Sequence, residues 1–364
     1  MAATYVYAII PTGDQVIFDD VAGVDNEHDE VYTVPHRDIA AVVSASPLGD
    51  YRGLKRDQAA RYLVAHQRVV EAVMQDFPVL PVKFGTVLPD EAGVHRLLAQ
   101  GETLFRPTLE KFSDLVQMEV VVLWELQQVF QEIGQEEHIA QLKAQVESRS
   151  PEGTMIERVA IGQMVQASLE RRRASLREYL IQWLKQVSLD LVVNPPMGDS
   201  MVANVALLVD EVRQEALDRQ LELLDEEFEG QLTFRCVGPL PSYSFVTVEV
   251  EVPSFEAIDE ARHRLGLGEM ATPSKIRGAY HRLADQLHPD HNPDDPKAKD
   301  RMTELAQAYE LLTAYAEQGS KGAEEQRSKG AKSEIGNRKS EIRFSREVVE
   351  QTLLIAIRRQ EVPA

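Results

Sequence analysis

Residues 274–297 read Ser274-Lys275-Ile276-Arg277-Gly278-Ala279-Tyr280-His281-Arg282-Leu283-Ala284-Asp285-Gln286-Leu287-His288-Pro289-Asp290-His291-Asn292-Pro293-Asp294-Asp295-Pro296-Lys297. Apolar side chains at Ile276, Ala279, Tyr280, Leu283 and Leu287 recur every three or four positions, the spacing of one helix face. Thr272 or Ser274 can cap its start. Pro289, Pro293 and Pro296 then remove backbone donors and stop the helix. A second stripe follows at Met302, Leu305, Ala306, Tyr309 and Leu312, within Lys297–Tyr315. Two helices with facing stripes and a proline-rich connection predict an antiparallel hairpin. Helical patterning covers Phe255–Ala316 apart from this loop.

Toward the N-terminus the pattern changes. Thr4–Ile10, Glu30–Val34 and Ile39–Ala45 are short and rich in β-branched or aromatic side chains, which predicts strands. Lys55–Gln75 is a predicted helix whose inner face carries Val69, Val70, Val73 and the half-polar His66. Phe77–Leu88 is extended but punctuated by Pro78, Pro81 and Gly85, which suits an edge strand or a loop. Gly93–Ser113 is helical with a break expected at Pro107, and Met118–Trp124 is a dense strand.

Residues 126–190 are helical, with Ile161, Val165, Leu169, Leu176, Leu180, Trp183 and Val187 spaced for one long helix that pairs with the preceding segment as a coiled-coil-like hairpin. Arg171, Arg172 and Arg173 interrupt the stripe and read as a solvated face rather than an anion site. Asn194-Pro195-Pro196 ends the helix. A second strand–helix–strand unit follows: strand Met201–Val209, acidic helix Asp210–Glu229, strand Leu232–Cys236, a rigid turn over 237–245, and the alternating strand Ser244–Val252. Residues 319–340 are rich in Lys, Ser and Gly without periodicity, which predicts a disordered linker.

The expected fold is α+β. Two ferredoxin-like α+β units occupy 1–125 and 198–253 and are joined by the helical segment 126–190. A helical module spans 254–318, the flexible linker 319–340, and residues 341–364 return as a strand or a docking helix.

The 364 residues hold 59 acidic and 39 basic side chains, a formal net charge of −20. That excess argues against bulk binding to nucleic acid or an anionic membrane. The acidity is uneven: Ser274–His288 holds three basic residues and one acidic. One cysteine, Cys236, excludes a disulfide framework, suits a reducing cytosol and reads as a small core residue. The first ten residues lack the basic start of a secretory signal, and no apolar run reaches about 18 residues. No glycine-rich phosphate loop is present, and the spacing of His281, His288, His291 and Asp290 does not fit a metal site. An enzyme is therefore not expected: no catalytic residues, no metal and no cofactor.

Lys275–Ala284, the tripeptide His288-Pro289-Asp290 and Ala308-Tyr309-Glu310-Leu311-Leu312 together resemble a J-domain, with Ala261–Leu267 similar to its first helix and turn. That resemblance implies contact with an Hsp70-type chaperone through His288, Pro289 and Asp290, supported by the basic residues Lys275, Arg277 and Arg282. Asp285 and Gln286 depart from the pattern, because further positive charge is common there.

The preceding chain resembles the gas vesicle protein family GvpL/GvpF. The segments that carry the likeness are Thr4-Tyr5-Val6-Tyr7-Ala8-Ile9, Val79-Leu80-Pro81-Val82-Lys83-Phe84-Gly85-Thr86-Val87 and Val237-Gly238-Pro239-Leu240-Pro241-Ser242-Tyr243-Ser244-Phe245. It implies a non-enzymatic accessory protein of gas vesicle formation, in the cytoplasm or on the vesicle, with the hydrophobic rib protein and other gas vesicle proteins as partners. Proline-bearing edges and exposed apolar side chains recruit such partners, which makes Phe84, Gly85, Thr86, Tyr243 and Phe245 a candidate client-binding face. The same aromatic side chains also read as core. The expected role is an assembly chaperone that presents the rib protein to an Hsp70. The alternative is a minor structural component that nucleates the shell, with the J-like module only a docking surface.

Overall fold

The computed structural model describes residues 3–24, 30–147, 154–288, 297–328 and 341–359. They fall into two units, each built around its own sheet: residues 3–110 with 247–358, and residues 111–246 with 359.

The first unit opens with β1 (Ala3–Ile10), β2 (Ile17–Phe18), β3 (Val31–His36) and β4 (Ile39–Ser46), then α1 (Arg56–Val73), β5 (Leu80–Pro81), β6 (Val87–Leu88) and α2 (Glu91–Phe112). The sheet order is β2-β3-β4-β1-β5, with β6 also on β1. Residues Tyr5 to Ile10 of β1 have no exposed surface at all, as expected of a central strand covered on both faces. α1 turns His66, Val69, Val70 and Val73 inward. α2 buries Val94, Leu97, Leu98, Phe105 and Leu109 and runs straight through Pro107 to Phe112, where a break was expected. Phe105 and Leu109, buried on either side of the proline, hold the helix together despite the missing donor. Gly101 is required there, because a Cβ would lie 2.2 Å from the Phe105 ring.

The second unit contains β7 (Leu115–Trp124), α3 (Leu126–Gly134), α4 (Glu137–Glu147), α5 (Met155–Val187), β8 (Asp190–Asn194), β9 (Met201–Asp210), α6 (Gln214–Glu227) and β10 (Leu232–Leu240). Its antiparallel sheet has the order β10-β7-β9-β8. β7 was expected to close the first unit, but it pairs with β9 and β10 in the middle of this sheet. The predicted helical segment is three helices, α3 and α4 packing back on α5. α5 ends at Val187, before the double proline, and β8 occupies the residues between. Arg173, read as solvated, is 5% exposed and lies 5.8 Å from the Trp124 ring centre. Cys236, read as core, is exposed on the edge strand β10. Partial desolvation and Asp218 push its thiol pKa up, which disfavours the thiolate.

The chain then re-enters the first unit through β11 (Thr247–Glu251), α7 (Phe255–Arg264), β12 (Met270–Ala271), α8 (Pro273–Leu287), α9 (Ala298–Ser328), β13 (Ile342–Arg343), α10 (Arg346–Gln351) and β14 (Leu354–Arg358). β11 was assigned to the second unit from its alternation. Instead it bridges Val82 in parallel through Val248, with the Lys83 N–H donating to Val248 O at 2.9 Å, and its other edge pairs with β14. The sheet edge expected to be open beside Pro81 is therefore covered. The tail supplies both predicted alternatives, strand and helix, and its last strand belongs to β11 rather than to the second sheet. α9 continues past Gln318 to Ser328, into the predicted linker; residues 329–340 lie outside the described residues.

Ile342, Phe344 and Val349 of the tail are buried in the same core as Ile276, Leu305 and Leu312 of the helical module. Tyr315 stacks near Phe344, ring centres 5.8 Å apart, and donates its hydroxyl to Arg343 O at 2.8 Å. Replacing Phe344 by Ala should cost about 3–5 kcal/mol locally. Hydrogen exchange of the α8 and α9 amides should then accelerate about a hundredfold or more, while the amides of β7 and β9 stay unchanged.

Candidate partner-binding site

The start of α8 follows from local chemistry. Thr272 Oγ1 accepts from the Lys275 N–H at 3.2 Å, and Pro273 occupies the first turn, where its missing donor costs nothing. Ile276 and Ala279 are buried, and Tyr280, Leu283, Ala284 and Leu287 pack around them against Leu305, Ala308 and Leu312 of α9. Tyr280 and Tyr309 stack with ring centres 4.2 Å apart. This interface rotates the other side of α8 outward, leaving Lys275, Arg277, His281 and Arg282 exposed.

α8 ends at Leu287, with His288 as its exposed C-cap residue. The structure thus puts His288 at the end of the helix whose free face carries all three predicted basic contacts. Pro289 and Asp290 lie outside the described residues. Asp285 sits three positions after Arg282 and four after His281, so it dilutes the positive face at its centre. Lys275 Nζ lies 3.7 Å from Glu341 at the start of the tail. This contact was missed because nothing local in the sequence ties residue 341 to α8. Among the described residues no cluster of three or more His, Cys, Asp or Glu could hold a metal ion. Nor is any described helix long and apolar enough to cross a membrane.

The predicted client face fares differently. Phe84, Gly85 and Thr86 belong to the first unit, and Tyr243 and Phe245 to the second. Thr86 is buried and donates Oγ1 to Lys83 O at 2.7 Å, while its carbonyl accepts from Val6 N–H at 3.0 Å. Gly85 adopts φ +82°, a left-handed conformation that favours glycine, and its N–H donates to Tyr5 Oη at 2.9 Å. Phe84 is half-buried with its ring edge-on to Tyr51 and His66. Phe245 is buried against Val192, Ala206 and Leu208, and Tyr243 is half-buried. Thr86 and Phe245 therefore act in packing, because neither offers the solvent-facing surface a client would need.

His66 anchors the aromatic cluster behind Phe84. Its Nδ1 lies 3.1 Å from Tyr5 Oη, and its ring stacks 5.7 Å from that of Tyr7. Burial pushes its pKa from 6.5 down to about 4. A neutral imidazole can accept the phenol proton at Nδ1, whereas an imidazolium cannot. Because the folded-state pKa is depressed, its stabilising contribution is complete above pH 6.5 and is lost as the pH falls toward 4. The loss should be on the order of 3 kcal/mol. Urea midpoints measured from pH 7 to pH 4 for the native chain and for His66→Phe should show this extra slope in the native chain only.

Residues 3–247 match the family model described as gas vesicle synthesis protein GvpL/GvpF, and residues 263–318 match that of the DnaJ domain. The chain is 26% identical over 244 residues to gas vesicle protein F of a Streptomyces species, covering 67% of this chain and 99% of that protein. It is 28% identical over 256 residues to gas vesicle protein L1 of Halobacterium salinarum, covering 66% and 89%. DnaJ homolog subfamily B member 11 of Canis lupus familiaris is 49% identical over 49 residues, 14% of either chain. The crystal structure of gas vesicle protein GvpF from Anabaena sp. PCC7120 superposes with a TM-score of 0.55 at 24% identity, over 67% of this chain and 98% of that one, a likeness of fold.

Proposed function

The chain belongs to the GvpL/GvpF family of gas vesicle synthesis proteins, and we propose that it is an assembly adaptor, which binds the hydrophobic rib protein and presents it to an Hsp70 through its DnaJ domain. The observation that carries this reading is the free face of α8: Lys275, Arg277 and Arg282 are exposed on the helix that ends in His288, while the opposite face is consumed in packing against α9. Exposed cations of this kind address carboxylates on a partner, and their contribution falls with added salt. The work is done by binding rather than by catalysis, in the cytoplasm and on the growing vesicle.

The decisive measurement is single-turnover ATP hydrolysis by the Hsp70 of a gas-vesicle-forming cell, with the full chain added. The native chain should accelerate hydrolysis, and His288→Gln should lower the effect about tenfold or more, equivalent to at least 1.4 kcal/mol of coupling. Arg282→Glu should weaken it chiefly at low salt, and both variants should still co-purify with the rib protein. If the native chain gives no stimulation and His288→Gln still supports vesicles, the protein is instead a minor structural component and the module only a docking surface.

A further inference from the structure

The second unit contains a cleft of about 550 Å³ whose chemistry differs from that of α8. Its floor is one stripe of α5, with Arg172, Leu176 and Tyr179 spaced at four and three residues. Val129 and Glu132 of α3 form one wall; Phe228, just past α6, and Leu232 form the other. Trp124, 8% exposed, also lines the cleft. The apolar lining is contributed by Val129, Leu176 and Phe228, which are half-buried, and by Trp124 and Leu232, which are buried.

The rim is acidic. Glu125, Glu132 and Glu227 line the cleft and Arg172 is the one cation among the lining residues. Arg172 is already engaged, 2.8 Å from Glu132 and 2.9 Å from Glu136. Tyr179 donates to Glu227 at 2.5 Å, which holds that carboxylate at the mouth. α6, which ends at Glu227 just before Phe228, also carries exposed Glu222, Asp225 and Glu226. An apolar stripe of α5 bordered by α3 and by the turn from α6 into β10 makes a seat for another helix, which would insert side chains at positions i, i+3, i+4 and i+7. The volume is that of a site taking a few large side chains.

We propose that this cleft binds an amphipathic helix of a partner protein, one whose large aliphatic face is flanked by lysine or arginine. The acidic rim selects the flanks and the α5 stripe takes the aliphatic side chains. The interaction uses neither α8 nor the tail, so it stands apart from the Hsp70 contact. It gives the client-binding half of the proposed function a physical site, and it rests on that half.

The test uses the full chain with Trp183→Phe, which leaves Trp124 as the sole tryptophan of the two in the sequence. Two labelled helical peptides of about 18 residues share one leucine face and differ only in lysine or glutamate flanks. The lysine peptide should shift the Trp124 emission and bind at least about tenfold more tightly than the glutamate peptide, the advantage shrinking with salt. Glu132→Lys with Glu227→Lys, both at exposed positions, should reverse the preference, and Leu176→Asp should abolish binding of either peptide. Equal binding of the two peptides overturns the proposal, as does binding that survives Leu176→Asp. So does a self-associated chain that takes up no peptide and that Leu176→Asp dissociates, which would assign the cleft to a second copy. Circular dichroism melts confirm that the variants fold. Hsp70 stimulation measured on the same variants should not change, so failure here is distinguishable from failure of the Hsp70 contact.

Discussion

The antiparallel pairing of β11 with β14 is the contact on which the C-terminal third depends. Five residue pairs, from Thr247 opposite Arg358 to Glu251 opposite Leu354, join segments separated by about a hundred residues. β11 in turn is held to the first unit through Val82 and Lys83. The DnaJ module is therefore an insertion between two neighbouring strands rather than a bead on a flexible string. Ion pairs at the same place, Lys83 and Arg358 with Glu249 at 2.7 and 3.3 Å, are partly exposed and add little beside the backbone ladder and the buried Val248.

The module and the tail are mutually dependent for the same reason. α7, α8 and α9 alone bury a small core, and small cores are marginal. The tail contributes Ile342, Phe344 and Val349 to that core. It also places Arg346 over the Phe255 ring at 4.4 Å and 2.7 Å from Glu256. Folding the tail onto the module and pairing β14 with β11 are thus successive consequences of one chain path. That path fixes the orientation of α8 and hence which of its residues face solvent.

What could be read from the sequence follows the range of the forces involved. Helix α8 and its exposed basic residues were legible and its cap was narrowed to Thr272 or Ser274, because capping and a 3.6-residue stripe act within a few positions. Strand identities were legible for β1, β4 and β9 on the same grounds. Sheet membership was not: the dense strand pattern of Met118–Trp124 and the alternation of Ser244–Val252 are the same whichever partner strand is chosen, and partner choice is a long-range property. Pro107 misled because local preference predicts a break that the buried neighbours Phe105 and Leu109 override. Phe84 and Phe245 could be read either as a client face or as core, since an aromatic residue in a proline-rich turn suits both until burial is known; Phe245 is core and Phe84 half-buried. The acidic cleft was invisible for a third reason: its lining comes from three separate helices and two strands.

The charge distribution ties these features together. A net charge of −20 spread evenly would repel acidic partners from every face. In the structure the sign varies locally: Lys275, Arg277 and Arg282 are exposed on α8, whereas Glu125, Glu132 and Glu227 outnumber Arg172 among the residues lining the cleft at α5. Like charge disfavours the wrong partner as effectively as opposite charge favours the right one. On the proposed reading a basic helix would be disfavoured at α8 and favoured over α5, and an acidic chaperone surface the reverse. Two partners of opposite sign would then not compete for one surface, as the proposed adaptor role requires.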